Sequence, residues 1–213
     1  MPLAGIIVPV KAFGRAKQRL AQALPPEARR GLVEAMFRDV MAALEGADLV
    51  GRTVVVTGEP AIAELARQWG ARVLPEPEGS GVNEVLDRAV AELGFPDDEA
   101  VLILAADLPL LTPEEVGALL AAAPDGPGVV IGRNLEGEGT NALLRRPPLA
   151  VPAAFGPGSF GRYLAAAMAR NLPVRVLDLP GVALDIDTPQ DLGRLKASGR
   201  DCHTLRYIHQ RGL

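Results

Sequence analysis

The chain has 213 residues, of which 48% are hydrophobic and 23% charged, with a formal net charge of −4. This composition excludes a disordered or fibrous chain, and the length suits one domain with a sizeable core. The single cysteine, Cys202, excludes a disulfide framework and indicates a reducing compartment. Because no apolar run reaches the ~18 residues of a membrane span and no basic segment precedes the first apolar stretch, we expect a cytoplasmic protein.

Short apolar runs alternate with longer segments of helical periodicity. The runs predict strands at 5–10, 53–57, 72–74, 100–105, 128–131, 141–145 and 174–179. The periodic segments predict helices at 28–44, 61–69, 83–93, 113–122, 160–169 and 189–197. This alternation predicts an α/β fold, a three-layer sandwich around a mostly parallel mixed sheet. The runs at 128–131 and 141–145 are too close for a crossover helix, so at least one strand is expected to be antiparallel.

The domain organisation is predicted to be simple. Repeats, low-complexity tracts and linkers are absent from the sequence, so we expect one domain over residues 1–200. Residues 201–213 show no clear pattern and are interpreted as a C-terminal arm of the same domain. Thr112 and Thr188 each precede a proline and acidic residues, which is typical of a capped helix start.

Basic residues are concentrated near the N-terminus. Residues 1–30 carry a net charge of +5, so the other 183 residues carry −9. The first predicted strand leads into a loop with four basic residues: Lys11, Arg15, Lys17 and Arg19. Such a loop can surround a polyphosphate, although a solvated basic surface is the alternative. The Walker A and dinucleotide-binding glycine patterns are missing, and the acidic remainder argues against general nucleic-acid binding.

Aspartates stand where a divalent cation could bind. Asp107 follows the strand predicted at 100–105, and Asp185 and Asp187 stand at a second apparent strand end, at 182–189. Residues two apart in an extended segment face the same side, and neighbouring carboxylates need a cation or a basic group to neutralise them. Mg²⁺ suits such a site because it takes few protein carboxylates and leaves positions for phosphates. The alternatives are that Asp107 makes a turn and that Asp187 only begins the next helix.

Three glycine-containing segments could hold a ligand through backbone amides. They lie at 79–83, 138–141 and 155–160. The segment at 155–160 leads into a predicted helix, so its amides and the Ser159 hydroxyl could hold a phosphate or carboxylate. Ser159 is not in a nucleophile elbow, since residue 157 is Pro. Cys202, His203 and His209 lack a recognisable metal-ligand spacing.

Taken together, these motifs resemble the nucleotidyltransferases of the GT-A-like, Rossmann-like fold. Within them, the chain is similar to the 2-phospho-L-lactate or phosphoenolpyruvate guanylyltransferase family of coenzyme F420 biosynthesis. The motifs that carry the resemblance are VPVK at 8–11, AKQRL at 16–20, ADLPLL at 106–111, GTNAL at 139–143, FGPGSF at 155–160 and DIDTP at 185–189. Related molybdenum-cofactor nucleotidyltransferases usually open with a different, glycine-rich loop, which is missing here.

The resemblance implies an enzyme that transfers GMP from GTP to a phosphorylated three-carbon acid and releases pyrophosphate. Asp107, with Asp185 or Asp187, would hold Mg²⁺; Lys11, Lys17 and Asp107 would be catalytic; Thr140, Gly156 and Ser159 would bind the acid. The implied nucleotide-binding residues are Val8, Pro9, Lys11, Arg15, Lys17, Arg19, Gly81 and Asn83.

Several alternatives stay open at this point. The acid can be phosphoenolpyruvate, 2-phospho-L-lactate or 3-phosphoglycerate, with phosphoenolpyruvate favoured by a composition that looks bacterial. The same fold can use another nucleotide or acceptor, and a non-catalytic nucleotide-binding subunit is a third reading. Nucleic-acid and membrane partners are not expected, and a homodimer is one option for the oligomeric state.

Overall fold

The structure, a computed structural model, describes residues 3–11, 13, 17–77, 79 and 81–213. This part of the chain contains seven strands: β1 (Leu3–Val10), β2 (Thr53–Thr57), β3 (Arg72–Pro75), β4 (Ala100–Leu104), β5 (Gly128–Arg133), β6 (Thr140–Arg146) and β7 (Val174–Leu177). Its α-helices are α1 (Pro26–Gly46), α2 (Pro60–Gln68), α3 (Val82–Leu93), α4 (Pro113–Ala121), α5 (Ser159–Met168), α6 (Pro180–Ala183), α7 (Pro189–Ala197) and α8 (His203–Arg211). Short 3₁₀ helices lie at Gln18–Leu20 and Val50–Arg52. Each of the seven strands and six helices predicted above has its counterpart, the strand end expected at 182–189 does not, and α6 and α8 are additional.

The strands form one mixed sheet in the order β3-β2-β1-β4-β6-β5-β7. β1 pairs in parallel with β2 and β4, as do β2 with β3 and β5 with β7. β6 is antiparallel to both of its neighbours, β4 and β5. The predicted antiparallel strand is therefore β6, and its reversal follows from the short connection after β5.

Helices cover both faces of the sheet and make the three predicted layers. Side chains alternate between the faces, so Ile6 and Val8 join one buried cluster while Ile7 joins the other. The face of Ile6 packs against α1, α2, α4, α6, α7 and α8, and the face of Ile7 packs against α3 and α5. Strands β2 and β4 are buried along their whole length, which explains their unbroken apolar sequence.

The sheet topology gathers several polar segments at one end of the sheet. β1, β2 and β4 are parallel, so the loops after them leave from the same end. Because β6 runs the opposite way, its first residues lie at this end too, and the Ala105 amide donates to the Asn141 carbonyl at 2.8 Å. Ligands of open α/β sheets bind beyond the carboxyl ends of the strands, and this end holds the candidate site.

The C-terminal residues form a helix that packs on the domain. Residues 201–213 show no clear sequence pattern, yet α8 lies against α1, where the Tyr207 hydroxyl donates to the Ala28 carbonyl at 3.1 Å. Buried Asp39 of α1 accepts hydrogen bonds from the amides of His203 and Thr204, at 2.7 and 3.0 Å, and from the Thr204 hydroxyl. A carboxylate from another helix thus caps α8, which local sequence cannot reveal. In the described residues, no helix is both long and apolar enough to cross a membrane.

We predict that Asp39→Ala lowers the free energy of unfolding by about 2–3 kcal/mol, because it removes a helix cap and leaves buried donors of α8 without an acceptor. Urea unfolding followed by circular dichroism measures this change. Glu45→Ala is the matched control, since Glu45 is an exposed acidic residue of the same helix. A loss for Asp39→Ala no larger than that of the control would show that the cap is dispensable.

Candidate functional site

Three aspartates converge at the carboxyl end of the sheet. Asp107, Asp185 and Asp187 each offer a carboxylate oxygen, and these oxygens lie within 4.8 Å of one another. Asp107 follows β4, as expected. Asp185 and Asp187 do not end a strand, which corrects the sequence interpretation: Val182 and Ala183 belong to α6, and both aspartates lie on the extended segment between α6 and α7.

Lys17 is the cation at the centre of this group. Its ammonium contacts the Asp107 carboxylate and lies 2.7 Å from the Asp187 carboxylate, and its side chain is only 6% exposed. Burial alone would lower the pKa of Lys17, but the two carboxylates raise it above its ordinary value. The ammonium is therefore charged at any physiological pH.

The charges of the site are unbalanced, because one buried ammonium faces three carboxylates. Burial would raise the pKa of Asp187, but Lys17, with Arg19 and Lys11, more than offsets this and lowers it. Within the described part of the chain, Lys17 forms ion pairs with Asp107 and Asp187 but none with Asp185. Burial together with the charge of Asp107 raises the pKa of Asp185 to about 6. Negative charge left over in this way favours binding of a further cation.

Hydrogen bonds from neighbouring elements hold the aspartates in place. The Asn141 amide group, at the start of β6, donates to the Val182 carbonyl at 2.9 Å and to the Asp185 carboxylate at 3.0 Å. Asp191, in the first turn of α7, accepts from the backbone amide of Asp187 at 3.1 Å. Sequence reasoning assigned no role to Asn141 or Asp191, although a buried asparagine at the start of an apolar strand is a signal for one.

The short helix α6 sets the path of the chain into the aspartate segment. The Gly181 amide donates to the Glu115 carboxylate at 2.7 Å, and Glu115 also closes the predicted cap of α4 with Thr112. A Cβ at Gly181 would lie 2.0 Å from Glu115 Oε2 and 2.3 Å from the Leu110 carbonyl oxygen. Only glycine allows α6 to pack this closely against Leu110 and Glu115. The contact fixes the aspartate segment, which follows α6, relative to the loop after β4.

A second part of the site lies where β6 and α5 begin. Gly156 and Gly158 have φ angles of +112° and +69°, which glycine adopts readily, and they turn the chain into α5. The Phe160 amide donates to the Glu138 carbonyl at 3.1 Å, so this turn is joined to the connection that precedes Thr140. Among the described residues, the buried hydroxyls of Thr140 and Ser159 have no hydrogen-bond partner. Unpartnered buried hydroxyls on two adjacent segments are available to a ligand.

The remaining predicted nucleotide-binding residues have different surroundings. Val8 and Pro9 belong to β1, and Lys11 and Arg19 are exposed beyond it. Gly81 is the exposed residue that precedes α3. Arg15 lies outside the described residues. The Asn83 side chain makes two hydrogen bonds to the backbone of Phe155, one through its oxygen and one through its nitrogen. Sequence reasoning did not foresee this contact.

The fold is that of a nucleotidyltransferase. The crystal structure of a "putative nucleotide-diphospho-sugar transferase" from Desulfovibrio desulfuricans G20 superposes with a TM-score of 0.78 at 17% identity, covering 100% of this chain and 96% of that one. A nucleotidyl transferase from Methanothermobacter superposes with a TM-score of 0.61 at 18% identity, covering 95% of this chain and 98% of that one. These structural similarities show the architecture of the chain. Its family is identified by sequence comparison.

The chain belongs to the family of CofC-like guanylyl transferases, whose model, "Guanylyl transferase CofC like", matches residues 4–213. The phosphoenolpyruvate guanylyltransferase of Rubrobacter xylanophilus is 48% identical over 91% of this chain and 93% of its own length. The 2-phospho-L-lactate guanylyltransferase of Methanothermobacter thermautotrophicus is 34% identical over 96% of this chain and 89% of its own length. The resemblance seen in the sequence motifs is thus confirmed.

We predict that Asp185→Asn stabilises the metal-free protein at pH 7–8 by roughly 1–3 kcal/mol, since one pKa unit corresponds to about 1.4 kcal/mol. The native pKa of Asp185, about 6, lies above the ordinary 3.8. The stability that this group contributes is therefore fully present below about pH 4 and lost as the pH rises through about 6. Urea unfolding in EDTA at pH 4 and pH 7.5 measures the effect.

The control for this variant is Asp97→Asn, a substitution of the same type at an exposed position. It should show no such difference between the two pH values. If Asp185→Asn raised the free energy of unfolding equally at pH 4 and pH 7.5, the unbalanced charge at Asp185 would be contradicted.

Proposed function

We propose that this protein is a guanylyltransferase that transfers GMP from GTP to the phosphate of a phosphorylated three-carbon acid and releases pyrophosphate. Phosphoenolpyruvate is the proposed acid, because the bacterial relative that is 48% identical is named for it, and 2-phospho-L-lactate is the alternative. The observation that carries the proposal is the aspartate group around Lys17 at the carboxyl end of a nucleotidyltransferase sheet. Through the family, we assign the reaction to coenzyme F420 biosynthesis.

The aspartate group fits Mg²⁺. Three carboxylates within 4.8 Å of one another offer the hard oxygen ligands that this ion takes, and one lysine leaves part of their charge uncompensated. We propose that Asp107 holds the ion together with Asp185 or Asp187. When bound, Mg²⁺ neutralises phosphate charge and orients the α-phosphate of GTP.

The chemistry needs little from the protein beyond position and charge. A phosphate oxygen of the acid attacks the α-phosphorus of GTP and forms a new P–O bond in line with the leaving group. The bond between the α-phosphorus and the oxygen that bridges to the β-phosphorus breaks, and pyrophosphate leaves. The attacking oxygen is already anionic near neutral pH, so a general base is not required. Lys17, Lys11 and Arg19 place positive charge where the departing pyrophosphate gains negative charge.

We propose that the acid binds at the second part of the site, to Thr140, Gly156 and Ser159. Two buried hydroxyls without partners among the described residues support this, because a phosphate or carboxylate oxygen would accept from both. Gly81 directly precedes α3, whereas Val8 and Pro9 belong to β1. We propose that all three bind the nucleotide, with Gly81, which is exposed and has open space around it, beside the base.

Cellular setting follows from the substrates. We propose that the enzyme works in the cytoplasm, where GTP and phosphorylated acids are available, and without nucleic-acid or membrane partners. The lone cysteine is a free thiol, in keeping with a reducing compartment. A homodimer remains a prediction, which sedimentation velocity would decide.

The function is tested by incubating the protein with Mg²⁺, each of four nucleoside triphosphates and each of three acids, and measuring pyrophosphate release. We expect turnover with GTP and phosphoenolpyruvate above all other pairs. Asp107→Asn should lower kcat at least about 100-fold with an unchanged circular dichroism spectrum, because it removes a ligand of the charge-stabilising ion. Asp97→Asn is the control.

Other outcomes of this experiment have distinct meanings. Turnover with another nucleotide or acid would replace the proposed substrate. Nucleotide binding without pyrophosphate release from any pair would overturn the enzymatic function and indicate a binding subunit. A fully active Asp107→Asn protein would remove Asp107 from the site.

We predict that Ser159→Ala raises the KM for the acid about tenfold, because a lost hydrogen bond to a charged ligand costs about 1.4 kcal/mol. The KM for GTP should change less than twofold. Stability should be unchanged or slightly higher, since the orphaned hydroxyl is removed from a buried position. Steady-state kinetics and urea unfolding check both statements, and an unchanged KM for the acid would exclude the Ser159 hydroxyl from the acid site.

A further inference from the structure

Side chains, rather than other backbone, hold the segment before the Gly156 turn. We call residues 153–155 the strap. Its three consecutive amides each donate to a side chain: Ala153 to Asp87 at 2.9 Å, Ala154 to the Tyr163 hydroxyl at 2.8 Å and Phe155 to Asn83 at 2.7 Å. The strap therefore owes its position to α3 and α5, which flank it.

Asn83 binds one residue of the strap twice. Its side-chain oxygen accepts from the Phe155 amide at 2.7 Å, and its nitrogen donates to the Phe155 carbonyl at 3.1 Å. The two bonds satisfy both the N–H and the C=O of Phe155, as a neighbouring β-strand would. Phe155 directly precedes Gly156, so the last fixed point before the turn is the Asn83 amide group.

The other two connections are themselves supported. Asp87, one turn after Asn83 on α3, pairs with the fully buried Arg145 at 2.7 Å. The Tyr163 ring is buried and meets the Phe155 ring edge to face, with the centroids 5.6 Å apart. Two anchors thus fix the beginning of the strap, and Asn83 fixes its end.

We infer that Asn83 is a positioning residue for the acceptor acid, acting through the Gly156–Ser159 turn, and not a contact of the nucleotide base. This inference rests on the proposed function of that turn. Each polar atom of the Asn83 side chain already makes one hydrogen bond to Phe155, which fixes the plane of the amide group against the strap. Arg162, which donates to the Pro157 carbonyl, and the Phe160 amide also hold this turn, so loss of the Asn83 bonds displaces its beginning and leaves the rest attached. Small displacements of a positioning group reduce catalysis strongly.

The test compares Asn83→Ala and Asn83→Asp with wild type in steady-state kinetics. Asn83→Asp keeps the acceptor for the Phe155 amide but places a carboxylate against the Phe155 carbonyl. We expect the KM for the acid to rise about tenfold or more in both variants, as for loss of about one charged hydrogen bond, with the KM for GTP within twofold of wild type. Arg88→Ala, on the exposed side of α3, is the matched control.

Two further measurements separate positioning from general damage. Hydrogen exchange of the strap amides should accelerate in Asn83→Ala while the β4 amides stay protected. In a Ser159→Ala background, Asn83→Ala should raise the KM for the acid by much less than in wild type, because both act on one contact.

Each result decides a different statement. A rise in the KM for GTP, with the KM for the acid unchanged, would overturn the inference and restore Asn83 to the nucleotide. Equal kinetics in wild type and both variants would also overturn it. Wild-type protein without turnover on any acid would instead refute the proposed function, so the two failures are distinguishable.

Discussion

The site depends on one electrostatic constraint: three carboxylates are gathered within 4.8 Å around a single buried ammonium. Lys17 is ion-paired with Asp107 and Asp187, whereas burial and the charge of Asp107 raise the pKa of Asp185. Separating these groups would relieve the repulsion, so the surrounding structure must hold them together. That requirement explains why Asp187 and Asp185 are tied down by Asp191 and Asn141, and why the proposed role of the group is to bind a cation with a polyphosphate.

The scaffold meets this requirement by joining loops to each other as well as to the first residues of β6. The Ile186 amide donates to the Asp107 carbonyl at 3.3 Å, and Gly181 fits against Glu115 where a Cβ would have no room. On the other side of the site, the strap is held by α3 and α5. The two halves meet at β6, whose reversal puts Thr140 and Asn141 next to the loop that follows β4. One reversed strand therefore connects the proposed metal site with the proposed acid site.

Much of the architecture could be predicted from sequence, because the signals are local. The apolar runs that became β2 and β4 are buried throughout, and the prolines after Thr112 and Thr188 begin capped helices with Glu115 and Asp191 as partners. The α8 helix was not predicted, since two of its first amides are capped by Asp39, 164 residues away from His203, and its N-cap residue is a cysteine, Cys202. The strand expected before Asp185 was wrong for a related reason: α6 has only four residues, and its position follows from Glu115.

The sequence by itself determined the family and most of the order of strands and helices, because motifs and periodicity are properties of neighbouring residues. Tertiary structure decided which of those residues interact. It paired Lys17 with Asp107 across 90 positions, left Asp185 unbalanced, and joined Asn83 to Phe155, 72 positions away. The physical reason is that hydrogen bonds and ion pairs of this site join loops brought together only by the sheet, and no local pattern encodes such distances.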